Sequence, residues 1–281
     1  MTIRVASAAV MMVFVCASLG RADVSDWVID PEEPRVGDIV RVSIRLPAGV
    51  RSGTVTFEGR TLPGFETGGL LNAYFGIDLD VKPGAYRVAY EMGAETGTLP
   101  FVVKSREFAT EELKVAPKYT EPDKKTQERI DREAKELNAL WAGVSPQRLW
   151  SKGFVLPAAG PLGSPFGLRR VFNKKPKSPH AGVDIKAAQG AEVYASNAGK
   201  VVLANELFFT GNTVIIDHGL GLYTVYAHLS RTDVTAGADV ERAALVGLVG
   251  ATGRATGPHL HWGVKLAGAR VDPTTLPGMA L

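Results

Sequence analysis

One cysteine, Cys16, and five histidines make up the whole supply of thiol and imidazole ligands in 281 residues. A single thiol excludes a disulfide framework, a cysteine-based zinc finger and an iron–sulfur centre. Any metal chemistry must therefore draw on histidine and carboxylate. Excess charge is also scarce. Lys and Arg number 32 against 29 Asp and Glu, a net +3, and they form no dense basic cluster. Nucleic acid is not an expected partner. The sequence has no His-Glu-x-x-His segment, so no catalytic glutamate arrives by that route. With 45% hydrophobic and 22% charged residues, the chain reads as globular rather than disordered. Its length suggests two domains.

Residues 1–22 read as a secretory signal. Arg4 precedes an apolar run from Val5 to Leu19, and Gly20-Arg21-Ala22 precede the first acid, Asp23. The run is short for a transmembrane span. An uncleaved anchor is the alternative, and Cys16 admits a lipoprotein reading that the bulky Val15 before it disfavours. Cleavage would remove Cys16, Arg4 and Arg21. The remainder has 32 − 2 = 30 basic residues against 29 acidic ones, or +1. The expected location is exported, in the periplasm or cell envelope, with no stable membrane span after signal removal and no disulfide support.

The fold is predicted to be mainly β. Residues 23–104 read as a β-sandwich, immunoglobulin-like in size, from the runs Ile39–Ile44, Gly53–Phe57, Tyr86–Tyr90 and Gly97–Val103. Turn signals separate them, among them Pro34–Asp38, Pro63-Gly64 and Lys82-Pro83-Gly84. This region contains no histidine. Residues 105–152 read as a charged helical linker. Thr120 and Asp123 form a capping pattern with Pro122 in the first turn. Ile130, Ala134, Leu137 and Trp141 form one stripe, Glu128/Arg132 and Asp131/Lys135 are i,i+4 pairs, and Gly143 stops the helix. A connector packed on a domain is the simpler role, and a segment blocking an active site the sharper one. Residues 153–281 read as a second β domain.

All five histidines fall in that second domain. His180-Ala-Gly-Val-Asp184 is a loop entering a strand, and residues i and i+4 of an extended chain share a face. In Gly257-Pro-His-Leu-His-Trp262, His259 and His261 share one strand face and Leu260 and Trp262 the other. His228 lies in Tyr226-Ala-His-Leu-Ser230, an alternating run. His218, between glycine-rich turns, reads as structural. Each motif alone is ordinary. Together, two histidines and one carboxylate make a three-ligand zinc site with an open position, the catalytic form. Such an ion lowers the pKa of water to about 7 and polarises a carbonyl. The spare histidines are natural acid–base and oxyanion groups.

These segments resemble the lysostaphin/LytM-type zinc metallopeptidases, which cut peptide bonds in bacterial peptidoglycan. The resemblance is carried by His180-x-x-x-Asp184, Tyr226-Ala-His228-Leu-Ser230 and Gly257-Pro-His259-Leu-His261. Flanking Gly199-Lys-Val, Gly211–Gly219 and Gly247–Gly253 segments support it, and it covers roughly residues 153–275. It implies an antiparallel β LytM-type domain with a groove over zinc. His180, Asp184 and His261 would be the Zn2+ ligands, and His228 and His259 the catalytic pair. The expected substrates are peptidoglycan stem peptides or cross-links, cut through metal-activated water. A non-catalytic peptidoglycan-binding or hydrolase-activator module is the alternative, disfavoured because no ligand is missing. A phosphate-carrying sugar-transport domain is a weaker one, disfavoured by the export signal. Glu241–Leu245 departs from the family, which often has a glycine in that turn.

Overall fold

The computed structural model describes residues 26–113, 121–172, 175–176 and 178–279. The expected signal segment, Cys16 and Thr120 lie outside them. The described chain is mainly β.

Seven antiparallel strands form the N-terminal part. They are β1 (Trp27–Asp30), β2 (Ile39–Arg45), β3 (Gly53–Phe57), β4 (Arg60–Thr67), β5 (Leu70–Gly76), β6 (Gly84–Met92) and β7 (Glu95–Val103). Alternation sets the faces: on β7, Leu99, Phe101 and Val103 are buried while Val102 is exposed. The strand order is β1-β2-β5-β4-β3-β6-β7. Strand β4 is shared between two halves. Its start pairs with β3, and Phe65–Thr67 pair with β5. The change of partner falls at Pro63-Gly64, which the sequence marks as a turn. The signal is real, but it bends a strand rather than ending one. The halves close on each other through aromatic contacts, with ring centroids of Phe57 and Phe75 at 4.9 Å and of Phe75 and Phe101 at 5.5 Å.

The connecting region holds more than a helix. Strand β8 (Thr110–Leu113) precedes α1 (Lys124–Trp141). Asp123 caps α1, its carboxylate accepting from Thr126 N at 2.7 Å. Pro122 keeps the residue before it out of the helical region, so the helix starts after the proline rather than around it. The helix packs on the second domain without burying any residue fully. Glu133 accepts from Phe208 N at 2.8 Å, and Trp141 meets Tyr223 edge-on at 5.5 Å. The i,i+4 contacts observed are Gln127–Asp131 and Arg129–Glu133.

Strands β9 (Arg169–Phe172) and β10 (Lys175–Pro176) form a small sheet with β8, which runs parallel to β9. A nine-stranded antiparallel sheet follows. It contains β11 (Gly182–Ile185), β12 (Glu192–Tyr194), β13 (Gly199–Leu207), β14 (Gly211–Asp217), β15 (Leu222–Thr232), β16 (Asp239–Val240), β17 (Leu245–Val249), β18 (Leu260–Leu266) and β19 (Ala269–Val271). Its path β11-β18-β15-β14-β13-β16 places β18 between β11 and β15. Leu260, Trp262 and Val264 of β18 are buried on the face away from His261, and each fully buried side chain of this kind stabilises by about 1.5–3 kcal/mol.

The two β parts share one core. Buried Trp150 touches Tyr74 on one side and Phe154 on the other. Gly76 of β5 lies so close to β19 that a Cβ there would stand 2.6 Å from Val271 Cγ1. Buried Asp78 accepts from Arg270 N at 2.7 Å and pairs with its guanidinium at 2.5 Å. Burial opposes ionisation of Asp78, but the bonds from Arg270 outweigh it and bring the carboxyl down to about 2.

Candidate metal centre and active site

The site is built where β11, β18 and β15 run side by side. Asp184 lies directly opposite His261 in the β11–β18 register, and Ala227 opposes His261 from β15. His180 precedes β11 and is tied down from the segment 163–168. Its N–H donates to Leu168 O, its carbonyl accepts from Gly167 N, and Asp184 N donates to Ser164 O. Gly182 permits the close approach of β11 to β18. A Cβ there would lie 2.4 Å from Trp262 O and 2.8 Å from His261 Cε1.

Three ligand atoms converge. His180 Nε2 is 2.9 Å from His261 Nδ1 and 3.0 Å from Asp184 Oδ1, and His261 Nδ1 is 3.1 Å from Asp184 Oδ1. Two imidazole nitrogens cannot satisfy each other when both are neutral acceptors. A shared cation resolves that clash. Ligands at about 2.0 Å on one tetrahedral ion are about 3.3 Å apart, close to the observed triangle. His180 Nδ1 lies 2.9 Å from Pro165 O, a carbonyl that only accepts, so the ring's proton sits there and Nε2 offers its lone pair. The residues therefore fit a zinc ion in donor type and spacing, and His180 also in tautomer.

Electrostatics agree with that fit. Burial opposes the charge on Asp184, but hydrogen bonds and attraction from His180 and His261 outweigh it and hold the carboxyl well below its usual range. Burial pushes His261 down despite Asp184. An ionised carboxylate beside neutral imidazole is the protonation state a metal requires.

The other two histidines face the same groove, whose volume is about 1030 Å³. His228 Nδ1 lies 2.8 Å from Thr252 O, and His259 Nδ1 lies 2.8 Å from Gly257 O. Both rings thus donate from Nδ1 to backbone and leave Nε2 for the groove. His259 Nε2 is 3.6 Å from Asp184 Oδ1. The His228 and His259 ring centroids are 4.8 Å apart. Burial, reinforced by His261, lowers His228 to about 3.

All five residues singled out from the sequence come together here. One local expectation fails. Tyr226 and His228 were expected on one face of β15, but Tyr226 is fully buried, its hydroxyl accepting from Ser196 N at 2.8 Å. Between Tyr226 and Leu229 the β14–β15 register shifts, and His228 has φ 64°. This bulge turns His228 into the groove; a non-glycine residue in the left-handed region is characteristic of strained functional positions. His218 is structural as expected. It is fully buried, bonded to Ala198 O and near Thr224 Oγ1, and burial lowers it to about 4.

Sequence reasoning missed the carbonyls of Pro165, Thr252 and Gly257, which carry no side-chain signal. It also missed Arg170, which donates to Asp184 Oδ2 at 3.2 Å. The groove is lined by no residue of α1, and the described part before Gly163 contributes Glu111 of β8.

An antiparallel β domain with a buried His-Asp-His cluster and two further imidazoles over one groove defines a metallopeptidase-class site. Residues 178–273 match the model of peptidase family M23. The chain is similar to a putative peptidase M23 from Pseudomonas aeruginosa, with a TM-score of 0.71 and 33% identity over 88% of this chain and 96% of that one. The chain belongs to peptidase family M23. It is 38% identical over 115 residues to the DD-carboxypeptidase/endopeptidase Mpg of Neisseria meningitidis, which covers 41% of this chain and 26% of that protein. It is 37% identical over 131 residues to the peptidoglycan DD-endopeptidase ShyA of Vibrio cholerae, covering 46% and 30%. The matched part thus spans between a quarter and a third of these two relatives. Among the described residues, no helix is long and apolar enough to cross a membrane.

Proposed function

We propose that this chain is an exported zinc metalloendopeptidase that hydrolyses peptide cross-links of peptidoglycan in the periplasm or cell envelope. The carrying observation is the set His180, Asp184, His261, His228 and His259 around one groove, with three ligand atoms within 3.1 Å of one another. The names of the similar Neisseria and Vibrio proteins support a D,D-bond as the one cut.

His180, Asp184 and His261 would hold the ion. When bound, zinc supplies Lewis acidity and lowers the pKa of water. His228 and His259 handle protons. Because each ring's Nδ1 proton is committed to a backbone carbonyl, Nε2 accepts only when the ring is neutral and donates only when it is cationic. One of the pair takes the proton of the attacking water at Nε2 and later delivers it to the leaving amine. The other, protonated, donates from Nε2 to the carbonyl oxygen as negative charge develops there. The groove would take a peptide, and among the described residues neither strands β1–β7 nor α1 lines it.

The test is release of muropeptides from purified sacculi of known cross-link chemistry, identified by mass spectrometry, alongside zinc content. His228→Ala is expected to keep zinc and lose at least about 100-fold in rate. His261→Ala is expected to lose both. Sacculus binding with no product and no metal would sink the enzymatic reading in favour of an activator.

A further inference from the structure

Asp184 uses one carboxylate oxygen, Oδ1, in the triangle with His180 and His261. Its second oxygen, Oδ2, accepts from Arg170 Nη2 at 3.2 Å. Arg170 lies on β9, and the parallel β8–β9 register places Glu111 directly beside it. The Glu111 carboxylate stands 3.6 Å from Arg170 Nε, a buried nitrogen with no hydrogen-bond partner. Both side chains line the groove.

We infer that Arg170 is a positioning residue for the metal ligand Asp184, and that Glu111 makes this positioning compatible with a divalent cation. The inference rests on the metal-site reading given above. A carboxylate free to rotate would present either oxygen, or both, to the ion. A donor on Oδ2 fixes the rotamer so that Oδ1 alone faces the two imidazoles. A guanidinium beside a metal site has an opposing effect, because it repels the incoming ion. Glu111 offsets part of that charge, so the pair orients Asp184 at a smaller cost in repulsion of the ion. Strand β8, from the region between the two β parts, thereby takes part in metal retention without supplying a ligand.

The full chain is stripped with chelator and titrated with Zn2+ against a chromophoric competitor. Cobalt substitution reports ligand geometry through its visible spectrum. Arg170→Met is expected to weaken zinc binding about 10–100-fold, the usual effect of losing a partner of a metal ligand. Arg170→Lys keeps the charge but not the planar fork and is expected to fall between. Glu111→Gln sits at a half-exposed side chain, leaves the fold intact and is expected to weaken binding several-fold by exposing the ion to an unopposed guanidinium. Zinc affinity within threefold of the unsubstituted protein in both Arg170 variants, with an unchanged cobalt spectrum, overturns the role of Arg170. Unchanged or tighter binding in Glu111→Gln overturns that of Glu111. Failure of the unsubstituted protein to bind zinc overturns the metal site itself, a distinct result.

Discussion

Gly182→Ala tests the geometry of the centre without replacing a ligand. The added Cβ would stand 2.8 Å from His261 Cε1 and 2.4 Å from Trp262 O. Carbon atoms in contact sit about 3.5 Å apart or more, so β11 and β18 must separate locally by about 0.7 Å. Asp184 is on β11 and His261 is opposite it on β18. The same separation would open the Oδ1–Nδ1 distance from 3.1 Å toward 4 Å, past the spacing one tetrahedral ion tolerates. Zinc affinity is expected to fall at least about tenfold, comparable to losing a partner of a ligand. Misplacement of about 1 Å also costs about 100-fold in rate. Overpacking is expected to cost about 1–3 kcal/mol in stability. Chelator competition gives the affinity, muropeptide release the rate, and urea unfolding of the stripped protein the stability. A variant with normal affinity and rate would show that the strands yield without moving the ligands, and the reasoning from close approach would be wrong.

Asp78→Asn should expose the energetics of the junction between the two β parts. The Asp78 carboxyl is lowered from 3.8 to about 2, equivalent to about 2 kcal/mol. Since the folded value is the lower one, this stabilisation is complete above the unfolded pKa and is lost as pH falls through about 2. Unfolding free energies from urea titration are therefore expected to differ by that amount at pH 7 and to converge between pH 4 and pH 2; a gap independent of pH would refute the ion-pair account. Ala243 has φ 63° in the exposed turn where the family often has glycine. Ala243→Gly is expected to relieve the left-handed strain and, after the entropy cost of glycine, stabilise by about 0.5 kcal/mol with zinc affinity unchanged. Destabilisation by a similar amount in urea would count against this.

The period-two pattern was enough to place His259 and His261 together and to bury Leu260 and Trp262 behind them, because strand alternation is local. The i,i+4 spacing likewise brought His180 to Asp184. Alternation also marked β2, β3, β6 and β7. It failed for β4, where Pro63-Gly64 marks a change of partner inside a continuous strand. It failed for β8, whose short polar run acquires strand form through its pairing with β9. The sequence by itself determined which residue types are available for metal chemistry and that all five histidines lie in the C-terminal β part. Only the tertiary structure decided the centre's geometry. Register sets Asp184 opposite His261, a bulge turns His228 away from the face of Tyr226, and backbone carbonyls choose the tautomers. Arg170 reaches Asp184 because strands distant in sequence lie side by side. Such relations depend on pairing between strands, and no local pattern of side chains encodes them.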